Sequence, residues 1–152
     1  MTILDGQQYC TFYVEGHYFG IRVEQVQEIL RYQDMTPVPL APSVIAGLIN
    51  LRGQIVTAVD LRARLGLAER QLEDRPTNVV CLTADGAVSF LVDEIDDVVE
   101  VSEDTAEPTP PTLRGVSRAL VSRVHKLEGK LLLILDADTT ADVVGTERHE
   151  AA

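Results

Sequence analysis

Val44-Ile45-Ala46-Gly47-Leu48-Ile49-Asn50-Leu51-Arg52-Gly53-Gln54-Ile55-Val56-Thr57-Ala58-Val59-Asp60-Leu61-Arg62-Ala63-Arg64-Leu65-Gly66-Leu67 contains two apolar runs on either side of one polar corner. Glycine reaches positive φ without steric cost, so Arg52-Gly53 predicts the turn of an antiparallel hairpin. Beyond it, both alternating sets, Gln54/Val56/Ala58 and Ile55/Thr57/Val59, are mainly apolar or β-branched. That pattern predicts an interior strand with both faces covered. Asp60 then offers a carboxylate to the free amides of a new helix, Leu61 and Leu65 share one face, and Gly66 suits the left-handed C-terminal position.

Upstream, Gln8 to Val14 alternates with Cys10, Phe12 and Val14 on one face, and Glu15-Gly16 turns the chain into a second strand carrying Phe19, Ile21 and Val23. Glu24 to Leu30 reads as a brief turn followed by a strand. Thr36-Pro37-Val38-Pro39-Leu40-Ala41-Pro42 fixes φ at three prolines and removes three donors, which predicts an extended connection outside the sheet ladder. Downstream, Ala68 to Arg75 is charged and nearly without an apolar face, the signature of an exposed link.

From Thr77 the pattern begins again. At an offset of 69 residues, Phe19/Val88, Ile21/Phe90, Val23/Val92, Val26/Ile95, Ile29/Val98 and Leu30/Val99 pair apolar with apolar, and Glu24/Asp93 and Glu28/Asp97 pair acid with acid. At an offset of 76, Leu51/Leu127, Gly53/Gly129, Val59/Leu135 and Asp60/Asp136 coincide. The difference falls in Ser102 to Ser117, where Pro108, Pro110 and Pro111 predict a long mobile loop. Each half supplies about five short strands, so the expected architecture is mainly β: two small five-stranded barrels on one core, with short helices. Leu131 to Leu135 is continuously apolar and is expected between the halves. Asp136 is expected to cap a last helix carrying Ala137, Ala141 and Val144, closed by Gly145. The halves span about 8–67 and 77–144, with 1–7 and 146–152 expected to fray.

Composition narrows the function. A net charge of −11 repels phosphate backbones and anionic lipid, and seven aromatics (4 Tyr, 3 Phe) give little surface for base stacking. Neither a basic, apolar leader nor a bilayer-length apolar run is present, which predicts a cytoplasmic protein. Cys10 and Cys81 lie in apolar strand patterns and read as buried thiols. His17, His125 and His149 lack Cys or carboxylate partners at ligand spacing and read as surface residues, with no metal or other cofactor implied. Asp93-Glu94 and Asp96-Asp97 flank Ile95 and Val98 and read as a solvated acidic edge. No glycine-rich phosphate loop or nucleophile with histidine and acid partners is found, so no catalytic residue is assigned. Glu28, among apolar neighbours, and Arg52, at a hairpin tip, are free to face a partner.

The runs Val26-Gln27-Glu28-Ile29, Gly47 to Val56 and Val59 to Arg62 resemble the CheW family of bacterial chemotaxis coupling proteins. Phe90-Leu91-Val92-Asp93, Lys126 to Lys130 and Asp136 extend the resemblance over 8–144. It implies two intertwined five-stranded SH3-like barrels and a non-catalytic scaffold joining the cytoplasmic tips of chemoreceptors to the regulatory domain of the CheA histidine kinase. It further implies that Val26, Glu28, Gly47 and Arg52 belong to partner-binding surfaces and that Val79 lies near a receptor groove. Such a protein reaches membrane receptor clusters through protein partners, without inserting. The chain leaves no room for a kinase or receiver module, so a free-standing adaptor is expected. The same scaffold serving a pilus-motility or surface-growth pathway is the alternative. Two positions depart from the family pattern. Thr57 stands where proline is common, and Arg123 stands where the second half often has a small residue, which bears on close backbone contact there.

Overall fold

The computed structural model describes residues 6–71, 74–110 and 115–142. Both expected corners of the first half form. Strands β1 (Gln7–Val14) and β2 (His17–Arg22) meet at Glu15-Gly16, and β4 (Ile45–Leu51) and β5 (Gln54–Asp60) meet at Arg52-Gly53. In each corner both central residues take positive φ, 47° and 77° in the first and 51° and 85° in the second, the geometry that matches the twist of paired strands. Between the hairpins, a 3-10 turn (Val23–Gln25) leads into β3 (Val26–Leu30). Asp60 caps α1 (Leu61–Arg64), accepting from the Arg62 amide at 3.1 Å, and Gly66 takes φ 74°.

The second half repeats this plan: β6 (Thr77–Thr83), β7 (Gly86–Val92), β8 (Glu94–Val101), β10 (Val121–Leu127), β11 (Lys130–Leu135) and α3 (Ala137–Ala141). Asp136 caps α3 through the Thr139 amide at 2.9 Å. The strands are not sorted by half. One sheet runs β8-β1-β2-β11-β10-β9, with β9 a two-residue strand (Ala106–Glu107), and the other runs β3-β6-β7-β5-β4. Each sheet thus takes its leading hairpin from one half and its closing hairpin from the other. The two junctions are parallel and share one register: Phe19 lies beside Leu133, and its repeat counterpart Val88 lies beside Thr57. The intertwining expected from the resemblance is therefore present in the strand order.

Both faces of each sheet are used. One face contributes Phe12, Phe19, Ile21, Val59, Val79, Phe90, Leu133 and Leu135 to a shared core. The opposite face of the first sheet closes over a smaller cluster of Tyr9, Tyr18, Val101, Leu132 and Ile134. Burying a side chain of this size stabilises the fold by about 1.5–3 kcal/mol. This double coverage explains why Leu132 to Leu135 on β11 are all buried although they alternate in direction; Val56, Ala58 and Val59 on β5 are buried as well.

Several expectations are corrected. The 36–42 connection lies outside the strands as expected except at its first residue, where Thr36 forms one isolated bridge, exchanging two 2.8 Å backbone hydrogen bonds with Leu48, the counterpart of the pairing of Glu107 with Val124. The 68–75 link is anchored, because the Arg70 side chain is only 10% exposed and binds Asp60 and Asp93. The 102–117 insertion carries a 3-10 turn (Glu103–Thr105), β9 and the start of α2 (Gly115–Leu120) where a long loop was expected. Gln7, expected to fray, pairs with Val101. His125 is buried while His17 is exposed, and Cys10 is only half-buried. Val144, Gly145, His149 and the terminal segments 1–5 and 146–152 lie outside the described residues.

Candidate partner-binding site

Glu28 and Arg52 come from opposite ends of the five-stranded sheet. Laid flat, β3 and β4 would be four strand spacings apart, about 19 Å. Yet an Arg52 guanidinium nitrogen donates directly to a Glu28 carboxylate oxygen. The sheet is therefore rolled, and the ion pair bridges its open side. Arg52 is held in the left-handed region, unusual for a residue with a Cβ, and the Asn50 side-chain oxygen secures the turn by accepting from the Gly53 amide at 2.9 Å. The Arg52 side chain is 71% exposed and that of Glu28 22%, so one face of the pair remains open to solvent.

Gly47 sits at a register irregularity between Ile45 and Ala58–Val59. A Cβ there would lie 2.9 Å from the Thr36 carbonyl oxygen and 3.0 Å from the Met35 Cβ, so glycine admits the 35–36 segment against β4. The second half has the same irregularity at Arg123, and β9 still pairs with the neighbouring Val124 and His125. The close approach questioned by Arg123 survives because that side chain is exposed and its guanidinium turns to Glu103. Thr57, where proline is common, pairs with both Leu48 and Val88.

Val26 is half-buried against the shared core. Val79 is completely buried, paired with Ile29 and Phe90. In the free chain Val79 can shape a partner surface only by positioning β3. The structure thus unites Glu28 and Arg52 at the surface, places Val26 on the same strand as Glu28, and leaves Gly47 and Val79 beneath.

Sequence reasoning missed the exposure of Ile29 and Val98, 42% and 55%. They are repeat counterparts on β3 and β8, each at the end of its sheet. The offset alignment pairs them, but apolar identity suggested burial; only their edge position marks them as contact candidates. Asp93 was likewise misread as solvated. Burial pushes its carboxyl up, but hydrogen bonds from Arg62, the Glu15 amide and Arg70 outweigh this and leave it below the ordinary carboxylate value.

A two-sheet β protein whose surface-placed candidates lie on a hairpin tip and two edge strands has the make-up of a protein–protein interaction scaffold. The sequence profile of CheW-like domains matches residues 8–144. The chain belongs to the CheW family. It is 34% identical to the chemotaxis protein CheW of Bacillus subtilis over 92% of this chain and 90% of that one. It is 31% identical to CheW of Rhizobium meliloti, over 97% and 93%. The crystal structure of the scaffolding protein TtCheW from Thermoanaerobacter tengcongensis superposes with a TM-score of 0.81 at 25% identity, covering 92% of this chain and 95% of that one.

Proposed function

We propose that this protein is a non-catalytic adaptor that couples the cytoplasmic tips of chemoreceptors to a CheA-type histidine kinase. The observation that carries the reading is the Glu28–Arg52 pair: an ion pair at a fixed corner, open on one side, on a member of a family named for chemotaxis. Val26, Gly47 and Val79 support that surface, by flanking Glu28, by fixing β4 and by seating β3. The exposed Ile29 and Val98 add apolar contact area of the kind that interface cores use. Recruitment to membrane receptors then occurs through protein contacts from the cytoplasm. No described helix is long and apolar enough to cross a membrane.

The test is charge inversion in a reconstituted receptor–kinase assembly. In the free chain an exposed pair contributes only about 0–1 kcal/mol, so Arg52→Glu leaves the melting temperature nearly unchanged. In an interface that excludes water, losing one member of a charge pair costs about 2–5 kcal/mol, a thirty-fold or greater loss of affinity. Because Glu28 is the internal partner of Arg52, adding Glu28→Arg restores part of the binding if the pair acts as one unit. Unchanged assembly and kinase activation in Arg52→Glu would overturn the assignment.

A further inference from the structure

A groove of about 580 Å³ opens at the far end of β4 and β5 from the Arg52-Gly53 corner. Val59, on its floor, lies about 17 Å along β5 from Gln54, at about 3.4 Å per residue. One wall is the tip of the β6–β7 hairpin, Thr83 to Gly86, and the other is α3. Ile45, Val59, Val88 and Ala141 make the apolar surface between them. Hydrogen bonds within the chain fix both walls. The Ala84 amide donates to Asp138 at 2.6 Å, and the Thr83 hydroxyl donates to the Gly86 carbonyl at 2.8 Å. Arg64 holds the end of α3 by donating to the carbonyls of Thr139 and Thr140.

The internal repeat supplies a twin for comparison. At the matching junction of β2 and β11, a smaller groove of about 340 Å³ is lined by Gly16, His17, Tyr18 and Leu133, the counterparts of Asp85, Gly86, Ala87 and Thr57. There the chain supplies its own cation and its own apolar residue. The Lys130 ammonium lies 3.9 Å from the Tyr18 ring centre and 3.9 Å from Asp96, and Pro110 from the 102–117 insertion completes the lining. In the larger groove Ala87 stands for Tyr18, Gly86 for His17 and Thr57 for Leu133, and these smaller side chains widen the space. Among the described residues neither a basic side chain nor a proline lines it.

Charge selects the occupant. Every charged side chain described along the larger groove is acidic: Asp85, Asp138 and Asp142. Asp85 and Asp138 are exposed, and neither forms an ion pair among the described residues. In a chain of −11 they attract a basic segment and disfavour a second copy.

We propose that this groove docks a segment of a partner protein in which an apolar side chain is flanked by lysine or arginine, the apolar group seated on Ile45, Val88 and Ala141 and the cations meeting Asp85 and Asp138. The segment brings from outside what Lys130 and Pro110 supply in the twin groove. The inference does not rest on the receptor–kinase reading, whose charged corner lies at the other end of β5.

The experiment follows backbone amides of the full chain by NMR during titration with a short synthetic peptide carrying a central leucine between two lysines. Control peptides replace both lysines by glutamate, or the leucine by serine. The expected result is a saturable shift of residues 83–88 and 138–141 with the lysine–leucine peptide alone. Asp85→Asn, a change at an exposed hairpin tip, weakens that binding about two- to five-fold, and Ala87→Tyr, which installs the twin's side chain, abolishes it. If Ala87→Tyr does not fold, Asp85→Asn and the loss of binding at high salt in the parent chain decide. Absence of a saturable shift, indifference to Asp85→Asn, or an equal response to either control peptide would overturn the proposal. So would self-association through these residues, which assigns the groove to a second copy, or contacts between residues 143–152 and Ala87 in the free chain, which assign it to the chain's own end.

Discussion

The Thr36 carbonyl oxygen lies 2.9 Å from the point that a Cβ on Gly47 would occupy. Two 2.8 Å hydrogen bonds between Thr36 and Leu48 hold the 35–36 segment there, so it cannot withdraw without breaking them. Gly47→Ala is expected to destabilise the protein by about 1–3 kcal/mol, the usual cost of forcing an extra methyl into a packed site. Denaturant unfolding measures this. A change within error of zero would mean that the segment moves aside freely.

Arg70 and Arg62 both grip Asp93, at 2.5 and 2.6 Å, and Arg70 also reaches Asp60 at 3.1 Å. Arg70→Ala removes a nearly buried guanidinium and leaves Asp93 to Arg62 and the Glu15 amide, and Asp60 to the Arg62 amide alone, with an expected cost of about 1–3 kcal/mol. Asp93 has a depressed folded value, so its contribution is present above the unfolded carboxyl value of about 4 and is lost as the pH falls through the folded one. Asp93→Asn should accordingly flatten the acid limb of the stability–pH curve. An acid limb unchanged in this variant would remove Asp93 from the account.

Burial pushes the Cys81 thiol up to about 12, and Cys10 is also raised by burial. At pH 8 both are overwhelmingly thiols, the unreactive form. Alkylation with iodoacetamide, read by mass spectrometry, should label Cys81 only on unfolding, with half-buried Cys10 labelled earlier. Rapid native labelling of Cys81 would contradict its placement.

Hydrogen exchange should rank β11 among the slowest segments, since Leu132 to Leu135 are buried between two strands. Ala106 and Glu107 form a two-residue edge strand and should exchange sooner. Equal protection in the two places would mean that opening is global only.

Much of this was readable from residues. The Arg52-Gly53 corner, the Asp60 and Asp136 caps and the twofold repeat follow from local chemistry, because turns and caps are decided by a few neighbouring side chains. Hidden features depended on distant partners. Arg70 looked like an exposed link residue until Asp60 and Asp93 were placed beside it, and His125 looked like a surface residue until Tyr9 and Leu132 enclosed it. At the candidate site, charge and position singled out Glu28 and Arg52. Their contact could not be read, because it depends on the roll of a whole sheet. Val79 resembles a contact residue by family pattern yet lies wholly inside, and Ile29 and Val98 resemble core residues yet lie at edges.

The exchange of hairpins between the halves bears on synthesis. As the chain leaves the ribosome, β1 and β2 emerge first, but β1 must await β8, and Phe19 must await Leu133. The first half cannot settle early as a finished unit, since its β3, β4 and β5 are completed by β6 and β7. Such long-separated pairings are made late and slowly, and until then apolar strands stand uncovered. Nascent chains stalled before Lys130 should therefore depend on chaperones, and cutting the gene between its two repeats should yield fragments that fold only when mixed.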